Sequence, residues 1–220
     1  MVARKAKPPR KAVATKKVVK KVQRPKIAAA DVERPLKGFF HADELDDTFG
    51  FARFYWEPGR GPRASIVPQI LKKRRPAAAE ASSDTAARVE ILLPTDAPEE
   101  YADVDRLVRR YEEWLPEGEP TGFAQVTIRF PNAPNLHGPY EECRAWLRDH
   151  YVVGMRVPII LILHAPYLVG SDAPGHVHAL ILAGRLSRFG WMTVDRIVAS
   201  DEGRNVAISS WSKRSKPPSV

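Results

Sequence analysis

Polar and apolar positions alternate with a period of two over Ala124–Phe130, where Val126, Ile128 and Phe130 face one way and Gln125, Thr127 and Arg129 the other. That period predicts a half-buried strand. The aromatic run Phe51–Trp56 predicts an earlier strand, broken by Pro58, Gly59, Gly61 and Pro62. Arg88–Leu93 predicts another, closed by Pro94. The apolar stretch Val157–Leu163 has strand length, and it predicts a buried strand Val157–His164 that tolerates Pro158 near its start. His176–Ala183 is its expected partner across the loop Ala165–Gly175.

Helical spacing recurs in two places. Val104, Leu107, Val108, Tyr111 and Leu115 predict a helix over Glu99–Leu115. Cys143, Trp146, Leu147 and His150/Tyr151 form one stripe of a helix Pro139–Val152, with a proline in its first turn and Gly154 as the stop. A short helix is expected over Ala64–Lys73, disturbed by Pro68. The small, polar segment Pro76–Ala87 reads as a linker or exposed loop. Arg185–Val220 carries Trp191 and Trp211 but weak periodicity, and no element is predicted there. The pattern is that of an α+β domain over residues 35–220, mainly antiparallel sheet flanked by two or three helices.

Charge changes the picture at the N-terminus. Residues 1–26 hold eleven Lys/Arg and no acid, whereas the other 194 residues hold 24 basic and 26 acidic side chains. The excess of +9 therefore belongs to a tail, residues 1–34, that is expected to be disordered. Its pairs Lys16-Lys17 and Lys20-Lys21 suit phosphate neutralisation, which is sequence-independent and strongly salt-dependent. The clusters Lys72-Lys73-Arg74-Arg75 and Lys213-Arg214 with Lys216 could add to such contact, and Arg185 is a further candidate phosphate ligand. No run of about 18 apolar residues is present, which argues against a membrane-spanning helix. The basic, acid-free start lacks the apolar core of a secretory signal and reads poorly as a transit peptide. Cys143 is the only cysteine, so neither an internal disulfide framework nor a cysteine zinc site is available. A reducing, cytoplasmic setting is expected; the sequence does not specify an oligomeric state.

Three histidines carry the chemistry. His176 and His178, two apart on a strand, project to one face. His164 ends the preceding strand, so antiparallel pairing brings all three rings toward one point. Three neutral imidazoles with open positions suit a divalent metal that also accepts a substrate oxygen.

The segments carrying these residues are Gly154-Met155-Arg156-Val157, then Ile162-Leu163-His164-Ala165-Pro166, then Gly175-His176-Val177-His178-Ala179-Leu180-Ile181-Leu182 followed by Arg185. They resemble plasmid mobilisation relaxases of the MobA/MobL type, in the HUH endonuclease superfamily. Upstream, Phe130-Pro131-Asn132 and the helix after it resemble the family's Leu-Pro turn and following helix. The resemblance spans roughly residues 128–190. It implies an HUH relaxase-like fold and a divalent metal (Mn or Mg, or Zn) on His164, His176 and His178. It further implies metal-dependent nicking of single-stranded DNA in plasmid mobilisation and conjugation. In the family a tyrosine on a helix after the first strand attacks and stays joined to the 5′-phosphate. The matching stretch here, Gly61–Arg75, holds no tyrosine, so Tyr55 in the strand is the nearest candidate nucleophile. The family's acidic residue before the Leu-Pro turn is also missing from Gln125–Phe130.

Two other readings compete. A non-catalytic DNA-binding accessory would draw its affinity from the basic tail. A histidine-triad nucleotide hydrolase needs a third histidine where Leu180 stands.

Overall fold

A computed structural model describes residues 33–42, 47–59, 61–74 and 86–215. Six strands form one antiparallel sheet: β1 (Leu36–Ala42), β2 (Phe49–Trp56), β3 (Ala86–Leu92), β4 (Thr121–Phe130), β5 (Ile159–His164) and β6 (Gly175–Leu182). Their spatial order is β1-β2-β4-β6-β5-β3. β5, Ile-Ile-Leu-Ile-Leu-His, is buried at all six positions, because helices cover both faces of the sheet's centre. A hairpin of β7 (Gly184–Ser187) and β8 (Gly190–Val194) follows β6.

The two faces have separate cores. On one, α3 (His137–Leu147) and α4 (Asp201–Ser215) cover Val126, Ile128, Leu161, Val177 and Ile181, with Trp146, Tyr151 and Ala207 supplied by the helical side. On the other, α1 (Val67–Arg74) and α2 (Val104–Trp114) cover Phe123, Ile160, Ile162, Leu180 and Leu182. Alternation along each strand sorts the residues between these layers. His164, His176 and His178 share the parity of Ile162 and Leu180, so they lie on the α1/α2 face.

α2 starts at Asp103, whose side chain accepts the Arg106 N–H at 2.8 Å. This cap divides the expected helix Glu99–Leu115, leaving a single 3₁₀ turn over Glu99–Ala102 before α2. α3 passes directly into a π turn, Arg148–Val153. There Gly154 is required by crowding: a Cβ would stand 2.5 Å from the His150 carbonyl oxygen.

Several boundaries differ from the sequence expectation. Ala86 and Ala87 belong to β3 and not to a linker, because Ala86 pairs with His164. The rest of that segment lies outside the described residues, as do residues 1–32 of the basic tail. The folded body begins by Arg34, whose N–H donates to Pro62 O at 2.7 Å and whose Nε donates to Glu57 O at 2.8 Å. Strand β1 was not expected from its sequence, Leu-Lys-Gly-Phe-Phe-His-Ala, which has no clean alternation. The unassigned segment Arg185–Val220 supplies β7, β8 and α4, so the described residues include four α-helices where two or three were expected. Cys143 is buried and free, with burial raising its thiol pKa. Among the described residues no helix is long and apolar enough to cross a membrane.

Two polar clamps fix helices to the sheet. The buried Tyr111 hydroxyl donates to Gly122 O at 2.6 Å and accepts from Ala183 N at 3.1 Å. Replacing it in Tyr111→Phe strips two buried backbone groups of their partner. We expect a loss of roughly 1–3 kcal/mol in urea unfolding, with an unchanged m-value. The second clamp is Glu90 on β3, which accepts from Arg144 Nη2 at 2.6 Å and from the Tyr140 hydroxyl at 2.9 Å. Burial opposes ionisation of Glu90. The bonds from Arg144 and Tyr140, together with the charges of Arg144 and Arg88, outweigh it and hold the pKa below the ordinary 4.5. A depressed folded pKa gives stability that is complete above the ordinary value and is lost as pH falls through the folded one. Glu90→Gln should therefore be less stable at neutral pH and lose less on acidification below about pH 4.5 in pH-dependent unfolding.

Candidate metal centre

His164 is the last residue of β5, and β6 places His176 directly opposite it, with His178 opposite Ile162. One ring nitrogen from each histidine lies within 4.8 Å of the others. The ring centroids are 5.0, 5.1 and 4.9 Å apart. Imidazole–metal bonds of about 2.0–2.1 Å hold the donors roughly 3–3.5 Å apart, so ring rotations that move donors by about 1 Å complete the site. His164 is buried and the other two are half-buried, leaving the open side toward solvent.

Hydrogen bonds orient the rings. His176 Nδ1 is 3.1 Å from Pro174 O, a contact only an N–H can make, so Nε2 keeps its lone pair. His178 Nδ1 is 3.0 Å from Thr127 Oγ1 on β4, which can take the Nδ1 proton in the same way. The Gln125 amide lies 3.2 Å from this nitrogen, and its Oε1 is buried with no hydrogen-bond partner among the described residues. A half-turn of the amide hands that oxygen the Nδ1–H. Such outer hydrogen bonds are what fix the tautomer and raise the basicity of metal-binding histidines.

Electrostatics point the same way. Burial, then the neighbouring His176 and His164, then Lys73 and Arg129, push the His178 pKa down to about 2. Burial also lowers that of His176; the Pro174 carbonyl opposes the shift, while Arg129 and Lys73 reinforce it. Both rings are thus neutral at physiological pH, the state that coordinates metal. Lys73 is half-buried at the end of α1, where burial lowers its own pKa. Arg129 stands beside His176 in the β4–β6 register and donates to Asp47 O at 3.1 Å. Among the described residues no carboxylate joins the three histidines. A divalent cation on imidazole ligands, with Lys73 and Arg129 close enough to act on His176 and His178, would make a strongly positive site. Its natural complement is an anion such as a phosphate.

The remaining expected site residues are scattered. Tyr55 is not brought to the histidines. In the register β2–β4–β6, Gly50 is level with Thr127 and His178, and Tyr55 lies five residues further down β2, or about 17 Å at strand spacing. Arg74 is ion-paired with Asp105 at 2.9 Å, and Lys72 is exposed. Arg185, beyond the opposite end of β6, binds Asp195 at 2.7 Å. Arg214 pairs with Asp149 at 2.9 Å. Lys16, Lys17, Lys20, Lys21, Arg75 and Lys216 lie outside the described residues.

Reading the sequence for candidate ligands missed Gln125, Thr127 and Arg129, although the alternation of β4 had grouped them on one face. Tyr167 also stood outside that reading. Of the six tyrosines, Tyr101, Tyr111, Tyr140 and Tyr151 are buried. Tyr167 is 66% exposed and lies three residues after His164, in the 3₁₀ turn Pro166–Val169.

No protein-family model matches the chain, and no curated protein sequence matches it. Among solved structures, the chain is similar to a Staphylococcus aureus plasmid relaxase described as the molecular basis of vancomycin resistance transfer. The identity is 17%, the match covers 60% of this chain and 68% of that one, and the TM-score is 0.49.

The geometry makes a direct prediction for binding. Titration calorimetry with Mn²⁺ should give one site per chain, and His178→Ala should abolish it. Thr127→Val, which removes only the outer hydrogen bond, should weaken it about 10- to 100-fold.

Proposed function

We propose that this protein is a relaxase-like DNA strand transferase of plasmid or mobile-element origin, working in the cytoplasm on single-stranded DNA. The observation that carries this reading is the cluster of three histidines, its donors within 4.8 Å, set among cations and with no carboxylate in the group among the described residues. That donor set fits a divalent metal of Mn or Mg type, with Zn as the further option, on His164, His176 and His178. Such an ion, when bound, would polarise a phosphoryl oxygen and stabilise the charge that develops on it.

The chain's own residues have separate tasks. Thr127 and Gln125 hold the His178 ring, and the Pro174 carbonyl holds that of His176. Lys73 and Arg129 position the phosphate and screen its charge. Tyr167 is the nucleophile, an assignment supported by its exposure and by its place in the connection between the two ligand strands. Its hydroxyl oxygen bonds to phosphorus, the bond from phosphorus to the 3′ oxygen breaks, and the phenol proton passes to water. The departing 3′ oxygen takes up a proton. The basic tail, with Lys16, Lys17, Lys20 and Lys21, adds sequence-independent grip on the DNA backbone.

Incubation of the full chain with Mn²⁺ and a single-stranded oligonucleotide should yield a covalent protein–DNA adduct on denaturing gels. His178→Ala and Tyr167→Phe should lose it, and Tyr55→Phe should keep it. Removing Val2–Lys26 should weaken binding and flatten its salt dependence without abolishing the adduct. An absent adduct with retained binding that vanishes on tail removal would identify a non-catalytic accessory protein instead.

A further inference from the structure

The face of the sheet that carries the histidines extends past them onto β2 and β1. In the paired register, His178 is level with Thr127, Thr127 with Gly50, and Gln125 with Ala52, which in turn faces Phe40. Residues directly opposite across an antiparallel ladder point to the same side, so Phe40 shares the face of the histidines. Its ring leans over Gly50: a Cβ on that glycine would stand 2.5 Å from Phe40 Cζ. The ring therefore occupies the row of His178. That places it two strand spacings away, about 10 Å.

Phe40 remains 50% exposed in this position. Its neighbour Phe39 is similarly exposed but belongs to the opposite face, where it packs edge-on against His41 at 4.5 Å and under Arg53 at 5.5 Å. Among the described residues no ring or guanidinium stacks on Phe40. A half-exposed aromatic ring beside a cationic, phosphate-complementary centre is the arrangement by which proteins hold single-stranded nucleic acid. Cations take the backbone, and aromatic faces stack the bases. Lys73 and Arg129 supply the charge complement on the triad side. Gly50, under the ring, leaves room for it to lie along the sheet.

We propose that Phe40 is a stacking platform for a nucleobase of a single-stranded DNA whose phosphate sits at the three histidines. The proposal rests on the phosphate-site reading above and adds the base subsite to it. The base stacks on the ring without a hydrogen-bonded code, so the subsite accepts any of the four bases.

The test is fluorescence anisotropy of a short labelled single-stranded oligonucleotide with the full chain, at salt high enough to screen the basic tail. Phe40→Ala should weaken binding roughly 5- to 150-fold, the range of one lost base stack. Phe40→Trp should retain affinity and show quenching of its added indole on DNA binding. Phe39→Ala, on the opposite face, should bind as the native chain does. In oligonucleotides with one abasic position moved along the strand, one position should erase the difference between native and Phe40→Ala protein. Native-like affinity of Phe40→Ala, or a difference that persists on a fully abasic strand, would overturn the platform. Adduct formation measured in parallel separates the two claims. An adduct with no Phe40 effect sinks the platform alone, whereas a Phe40 effect without adduct sinks the cleavage chemistry alone.

Discussion

The register that sets His164 opposite His176 across the β5–β6 ladder governs the site, because strand side chains alternate and a ladder slip of a single residue would send one partner's ring to the other face. The buried hydrophobic pattern enforces this register. Ile160 and Ile162 must face α1 and α2 while Ile159 and Leu161 face α3 and α4, so a slipped β5 would have to bury His164 in an apolar core. The histidine cluster thus draws its geometry from the same apolar burial that stabilises the sheet, with the Pro174 carbonyl just before β6 orienting one ring. β6 is paired on both sides, which lets β4 deliver Thr127 and Gln125 to His178 with equal rigidity.

Charge then decides what such a site can hold. Three imidazole rings contribute no negative charge, and among the described residues the formal charges that act on His176 and His178 are the cations Lys73 and Arg129. A carboxylate-rich site would bind a hard cation unaided; this one gains most when the cation brings an anion with it. The acidic residue of the nearby β3, Glu90, is engaged with Arg144 and Tyr140 on the far side of the sheet and takes no part. The positive balance of the body is therefore local, even though the chain outside its tail is close to neutral.

Much of the centre was legible in the amino-acid order. Two histidines at strand spacing and a third closing the preceding apolar run fix a convergent triad once the two strands pair, because both patterns are local. The ligand-orienting residues were harder to see. Gln125 and Thr127 are polar members of an alternating strand, a pattern that ordinarily means solvent, yet they are 5% and 2% exposed because helices cover both faces of the central strands. β1 escaped notice because Gly38 and the Phe39-Phe40 pair break its alternation, and its pairing with β2 supplies what its own pattern lacks. α4 has apolar positions that make sense only against α3, so its periodicity is weak until tertiary packing is known. Tyr55 is the opposite case. Proximity in sequence to the expected helix suggested a nucleophile, but an extended strand carries it away from the centre at about 3.4 Å per residue.

The central claim is that three imidazoles on adjoining strands hold one cation. Anomalous diffraction from crystals of the protein grown with Mn²⁺ tests it most directly. The account predicts one strong peak about 2.2 Å from a ring nitrogen of each of His164, His176 and His178. A map with no peak between those rings, or with the manganese bound to carboxylates elsewhere, would contradict it.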